Sequence, residues 1–96
     1  MDCIFCKIVK NEINNYKVYE DNICLAFLDI YTDAPGHVLI IPKKHIVDIF
    51  SITNEELIHI SKISKIIAEK IKNNLKPDGI ITYQNNGCAQ DVMHYH

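Results

Sequence analysis

The chain has 96 residues, enough for one small domain whose core would gain from a bound metal or a partner subunit. A formal charge of -2 and a pI near 6.2 give no basic field for a phosphate backbone, which argues against a dedicated nucleic-acid binder. No apolar run approaches the roughly 18 residues that span a bilayer, and Met1-Asp2 leads straight into a cysteine pair without an export signal's apolar region, so the chain reads as cytoplasmic with no membrane partner.

Ile4, Phe5, Ile8 and Val9 fall at i, i+1, i+4 and i+5, which predicts a short helix with one apolar face, ended by Asn11 and the Asn14-Asn15 pair. Residues 16–20 alternate like a strand, Asp21-Asn22 is a turn signal, and 23–28 read as a buried second strand, so the two form a hairpin. Asp33-Ala34-Pro35-Gly36 makes the next turn, and a strand from His37 to Ile41 follows, ended by Pro42. Thr53-Asn54-Glu55-Glu56 is a capping box that opens the longest helix. Its core stripe is Leu57, Ile60, Ile63, Ile67 and Ile71, and Pro77 and Gly79 end it. Ile80 to Tyr83 reads as a fourth strand, Asn85-Asn86-Gly87 as a turn, and Val92 onward as a fifth strand that stops at His96.

This order predicts an α+β fold: an antiparallel sheet of about five strands with a short N-terminal helix, one long helix packed on the sheet, and a truncated last strand. A small parallel α/β fold fits less well, because only one long helix is available as a crossover.

The closing His94-Tyr95-His96 puts two imidazoles on one face of a strand, about 6 to 7 Å apart. Cys3-x-x-Cys6 has three readings in a reducing compartment: a thiol redox pair, half of a zinc site, or two cysteines without a task. A closed zinc site needs two more ligands, and His37, His45, His94 and His96 are the candidates. Cys24, inside an apolar run, reads as a small buried hydrophobe, and His59, outside the helix stripe, as a rim histidine. His96 is open to three roles: nucleophile, metal ligand or idle terminal residue. As a nucleophile it needs a neutral ring and an acceptor holding its Nδ1-H.

Four ordered motifs resemble the histidine triad (HIT) family of nucleotide hydrolases and transferases. They are Cys3-Ile4-Phe5-Cys6-Lys7-Ile8, then Leu25-Ala26-Phe27-Leu28-Asp29-Ile30, then residues 36–45 from Gly36-His37 to Pro42-Lys43-Lys44-His45, and finally Asn85-Asn86-Gly87 ahead of His94-Tyr95-His96. The resemblance implies one HIT domain over residues 1–96, with the C-terminal part of the domain missing. It implies a structural zinc ion on Cys3, Cys6, His45 and His94, as in the family's zinc-bearing bacterial members. It implies a purine nucleotide pocket of Ile4, Phe5, Ile8, Phe27, Leu28, Asp29, Ile30 and Leu39, in which apolar walls hold the base and Asp29 accepts from ribose hydroxyls. Phe27 and Leu39 serve equally as plain core, and Asp29 as a turn carboxylate. The phosphate loop maps to Asn85, Gly87, Gln90 and Asp91.

The activity implied is attack of His96 Nε2 on the α-phosphorus of a nucleoside phosphoramidate or dinucleoside polyphosphate, followed by water resolving the nucleotidyl-histidine. The family motif is His-x-His-x-His, and the 96 residues supply its first two histidines. The third is absent, and a chain ending at His96 carries an α-carboxylate where phosphate should sit, so the 96-residue form is expected to be a poor catalyst. The alternative is a non-catalytic nucleotide-binding or zinc-stabilised interaction module. Relatives imply a homodimer joined through residues 53–76 and a neighbouring strand.

Overall fold

The computed structural model of the chain describes residues 3–30 and 35–96. Helix α1 spans Ile4–Val9 with Cys3 at its N-cap, where Cys3 Sγ accepts from the Cys6 amide. It ends as the asparagines predict. Asn11 turns into the left-handed region at φ 61°, and the amides of Asn11 and Glu12 reach back to the carbonyls of Ile8 and Lys7 at 3.0 and 2.9 Å, satisfying the last turn.

Strands β1 (Lys17–Glu20), β2 (Cys24–Leu28) and β3 (Val38–Pro42) pair antiparallel in that order, each within one residue of its expected bounds. Asp21 makes the β1–β2 turn by accepting the amides of Ile23 and Cys24 on Oδ1 at 2.7 and 2.8 Å. Of the turn expected at 33–36, Asp33 and Ala34 lie outside the described residues. Gly36 takes φ +74°, a conformation that favours glycine, and a Cβ there would meet Leu75 Cδ1 at 2.6 Å and push the tip of that side chain aside.

Helix α2, Asn54–Leu75, opens on the expected capping box, with Thr53 and Glu56 bonding reciprocally. Its Ile60, Ile63 and Ile67 pack with Cys24 and Ala26 on one face of the sheet. Phe5 and Ile8 of α1 pack with Leu25, Phe27 and Ile41 on the other. The alternation along β2 therefore buries both its faces, which is why that strand reads as a continuous apolar run.

The five-strand expectation is corrected to three: among the described residues neither 80–83 nor 92–96 is a strand. A strand exists only when its amides and carbonyls find a neighbouring ladder, and residues 80–83 lie exposed, with Ile81 at 87%. The tail runs as bends beside Ile46, to whose carbonyl Tyr95 donates at 2.6 Å. Among the described residues no helix is long and apolar enough to cross a membrane.

Candidate functional site

At the start of α1, Cys3 and Cys6 meet His45, which follows β3, and His94 from the tail. The four ligand atoms all lie within 4.8 Å of one another. Cys3 Sγ is 3.3 Å from His94 Nδ1, and Cys6 Sγ is 3.2 Å from His45 Nδ1 and 3.6 Å from His94 Nδ1. Tetrahedral bonds of about 2.3 Å to sulfur and about 2.05 Å to nitrogen put S and N about 3.6 Å apart, so these edges already fit one zinc-sized ion. The donor set of two thiols and two imidazoles is that of a closed structural site. His37, also weighed as a ligand, is not in this cluster; its Nδ1 lies 3.7 Å from Asp29 Oδ2.

The supporting contacts fix the ligands' chemistry. His94 is fully buried and its Nε2-H donates to the Pro42 carbonyl at 2.9 Å, so the lone pair on Nδ1 faces the sulfurs. Burial holds the His94 pKa below its usual value, keeping the neutral form that ligates. Burial raises the Cys6 thiol, with the neighbouring Cys3 adding to it; a cation in the cluster would reverse that by favouring thiolate.

Three cross-links bring the tail to this place. Tyr95 N-H donates to the Ile46 carbonyl, Gln90 Nε2 to the Val47 carbonyl at 2.7 Å, and the Ile49 amide to Asn86 Oδ1 at 2.9 Å. Together they bind residues 86–96 to the segment that follows His45. Tyr95 enters the core on the α2 side, while His94 and His96 both face Phe5 at ring distances of 5.8 and 5.1 Å. The alternation expected of a strand thus survives without a ladder.

His96 Nδ1 lies 2.7 Å from the His94 carbonyl. Only an N-H can pair with that oxygen, so Nδ1 carries a proton, and in the neutral ring the lone pair is on Nε2. His96 borders an open groove with Asp29, Leu39, Asn85 and Asp91, and His37 and Tyr83 line the same groove. The other pocket candidates divide. Phe5, Ile8 and Phe27 are buried in the core cluster behind α1, and Leu39 packs against its edge. Ile4, Leu28 and Ile30 are exposed and do not line the groove.

The loop candidates divide as well. Asp91 is exposed, but Gln90 is buried with its Nε2 on the carbonyls of Val47 and Val92 and its Oε1 accepting from the Gly87 amide. Its side chain braces the loop from within, and the Gly87 amide is spent on the same brace. Sequence reasoning missed this brace, the Asn86 link and the Pro42 carbonyl behind His94. No local pattern marks them, because each joins residues at least 37 positions apart or depends on burial.

Comparison with known proteins agrees with this geometry. The HIT domain pattern matches residues 10–96. A HIT family protein of Bacillus anthracis superposes with a TM-score of 0.95 at 46% identity, over 99% of this chain and 69% of its own. A zinc-bound histidine triad family protein of Mycobacterium smegmatis gives 0.93 at 35% identity, over 100% of this chain and 71% of its own. The adenosine 5'-monophosphoramidase of Saccharomyces cerevisiae is 43% identical over 96 residues, which are 98% of this chain and 58% of that protein. With the family pattern over nearly the whole chain and the fold shared with its members, the chain belongs to the histidine triad (HIT) family.

Proposed function

We propose that this protein hydrolyses or transfers nucleotides at the α-phosphate of purine nucleoside phosphoramidates or dinucleoside polyphosphates, with His96 as nucleophile. The observation that carries the reading is the 2.7 Å contact of His96 Nδ1 with the His94 carbonyl, which in the neutral ring puts the lone pair on Nε2, beside a groove that also holds Asp29. The yeast monophosphoramidase among its relatives supports the same chemistry.

The Nε2 lone pair attacks phosphorus and the P–N or P–O bond to the leaving group breaks; an amine takes a proton from solvent as it leaves, and a polyphosphate leaves as its anion. Water then attacks the nucleotidyl-histidine and returns His96 to its starting state. Splitting the displacement in two lets one well-placed imidazole do work that water does slowly. Asp29, at the groove's edge, accepts the ribose hydroxyls. Phe5 packs edge-on against His96 and His94 and limits the freedom of the nucleophile.

Zinc on Cys3, Cys6, His45 and His94 is the ion this reading assigns, and it ties the N-terminus to the histidine tail. The zinc-bound relative supports it, as do the near-tetrahedral edges. The chain pairs with a second copy through α2 and residues 80–83, a reading supported by the exposure of Ile58, Ile66 and Ile81. Sedimentation as a monomer at micromolar concentration would remove that part.

The central test measures AMP release from adenosine phosphoramidate alongside AMP binding. With the third triad histidine lacking, turnover is expected to be slow, and His96→Ala is expected to abolish it while AMP still binds and zinc content is unchanged. AMP binding without turnover in the parent protein would instead identify a nucleotide-binding module, and equal turnover in the variant would remove His96 from the mechanism.

A further inference from the structure

On the opposite face of the sheet from the cysteine-histidine centre, a second group of metal-ligating side chains converges. Asp21 in the β1–β2 turn, Cys24 at the start of β2 and His59 of α2 each bring a ligand atom within 4.8 Å of the other two. Asp21 Oδ1 is committed to the turn amides of Ile23 and Cys24. Its Oδ2 is left to face three donors at once: Tyr19 Oη at 2.7 Å, His59 Nε2 at 2.5 Å and Cys24 Sγ at 3.8 Å. A carboxylate oxygen has two lone pairs, so three donors exceed what it can accept well.

A single cation resolves that crowding, because it takes one lone pair from each of the oxygen, the sulfur and the imidazole. We propose that Asp21, Cys24 and His59 form a second, weaker site for a zinc-class divalent cation, with the Tyr19 hydroxyl or a water as fourth ligand. The donor set of one carboxylate, one thiolate and one imidazole selects a borderline ion over calcium or magnesium, which prefer all-oxygen shells.

The side chains of Asp21 and His59 are 22% and 29% exposed, which leaves an entry path, while Cys24 is fully buried and anchors the site on the core. On binding, the Cys24 thiol gives its proton to solvent, and His59 presents the Nε2 lone pair with its remaining proton on Nδ1. One proton is released per cation when His59 starts neutral.

Geometry also sets the rank of the two sites. Tetrahedral bonds of about 2.0 Å place N and O about 3.3 Å apart, so the 2.5 Å contact of His59 with Asp21 must open by roughly 0.8 Å. The first centre needs no such opening, and the second site should therefore fill after it.

The test is a zinc titration of the metal-free full chain in a Cys88→Ser background, which removes the exposed free thiol. Native mass spectrometry counts the ions, and proton release is followed in weak buffer. Two zinc ions per chain are expected, the second at least about tenfold weaker, falling to one in both His59→Gln and Cys24→Ala. His59→Gln keeps an amide donor for Asp21 on a helix surface, so it stays folded if Cys24→Ala does not. One ion in the parent at saturating zinc, or a second ion retained in His59→Gln, overturns the proposal.

Discussion

The two clusters on opposite faces of one sheet use similar ligands and differ in how they are held. Cys3, Cys6, His45 and His94 meet with S···N edges of 3.2 to 3.6 Å, and the Pro42 carbonyl fixes the orientation of His94. Asp21, Cys24 and His59 are held instead by direct contacts to one carboxylate oxygen, of which the 2.5 Å bond from His59 is shorter than a shared metal would allow. The first cluster closes 91 residues of chain and the second 38. Ligand spacing that already matches a metal's edges therefore favours the first cluster over the second, whose ligands touch one another directly.

Breaking each cluster should give unequal losses. Cys3→Ala is expected to abolish zinc retention at the first centre and to cost about 4 kcal/mol or more, read as a lowered denaturant midpoint that added zinc no longer raises. Gln90→Ala removes the brace that holds the tail beside Val47, and about 1 to 3 kcal/mol should be lost, with zinc affinity falling in parallel because His94 is less well positioned. A variant with normal stability and affinity would show that Ile46 and Asn86 suffice to place the tail.

The second cluster is sharpened by pH. Burial opposes ionisation of Asp21, yet hydrogen bonds from Tyr19, the Cys24 and Ile23 amides and His59 outweigh it and hold its carboxyl well below the usual carboxylate range. The folded state therefore binds that proton less readily than the unfolded state. The resulting stability is fully present above the unfolded pKa of about 3.9 and is lost as pH falls toward the folded value. In metal-free protein, Asp21→Asn should flatten this acid limb of the unfolding midpoint, and an unchanged limb would discharge Asp21 from the account. The same contact raises the Tyr19 hydroxyl to about 12, so no tyrosinate forms near neutrality. Smallest of all, His59→Gln without zinc should shift stability by no more than about 0.5 kcal/mol, since glutamine retains a donor at a partly exposed position. A loss comparable to that of Cys3→Ala would erase the distinction between the clusters.

Local features were legible in the sequence wherever their cause is local. The spacing of Ile4, Phe5 and Ile8 gave α1, Thr53 and Glu56 gave the start of α2, and Asp21-Asn22 gave the hairpin turn. Cys24 was rightly read as buried, although its thiol faces a carboxylate, while His59 was read as a bare rim residue and is paired with that same group. The alternation of residues 80–83 and 92–96 suggested strands that have no ladder to join. Gln90 was mapped to the phosphate loop through the family resemblance, yet its side chain is turned inward to hold that loop.

By itself the sequence determined α1, α2 and the first three strands and, through four ordered motifs, the family and the four cysteine and histidine side chains that the structure brings together. The tertiary structure decided which atoms meet: His94 Nδ1 toward the sulfurs, His96 Nδ1 on the His94 carbonyl, and Asp21 beneath His59. The reason is one of range. Capping and periodicity act within a turn or two of chain, whereas a ring nitrogen is selected by whichever distant carbonyl or thiol the packed core brings within about 3 Å of it.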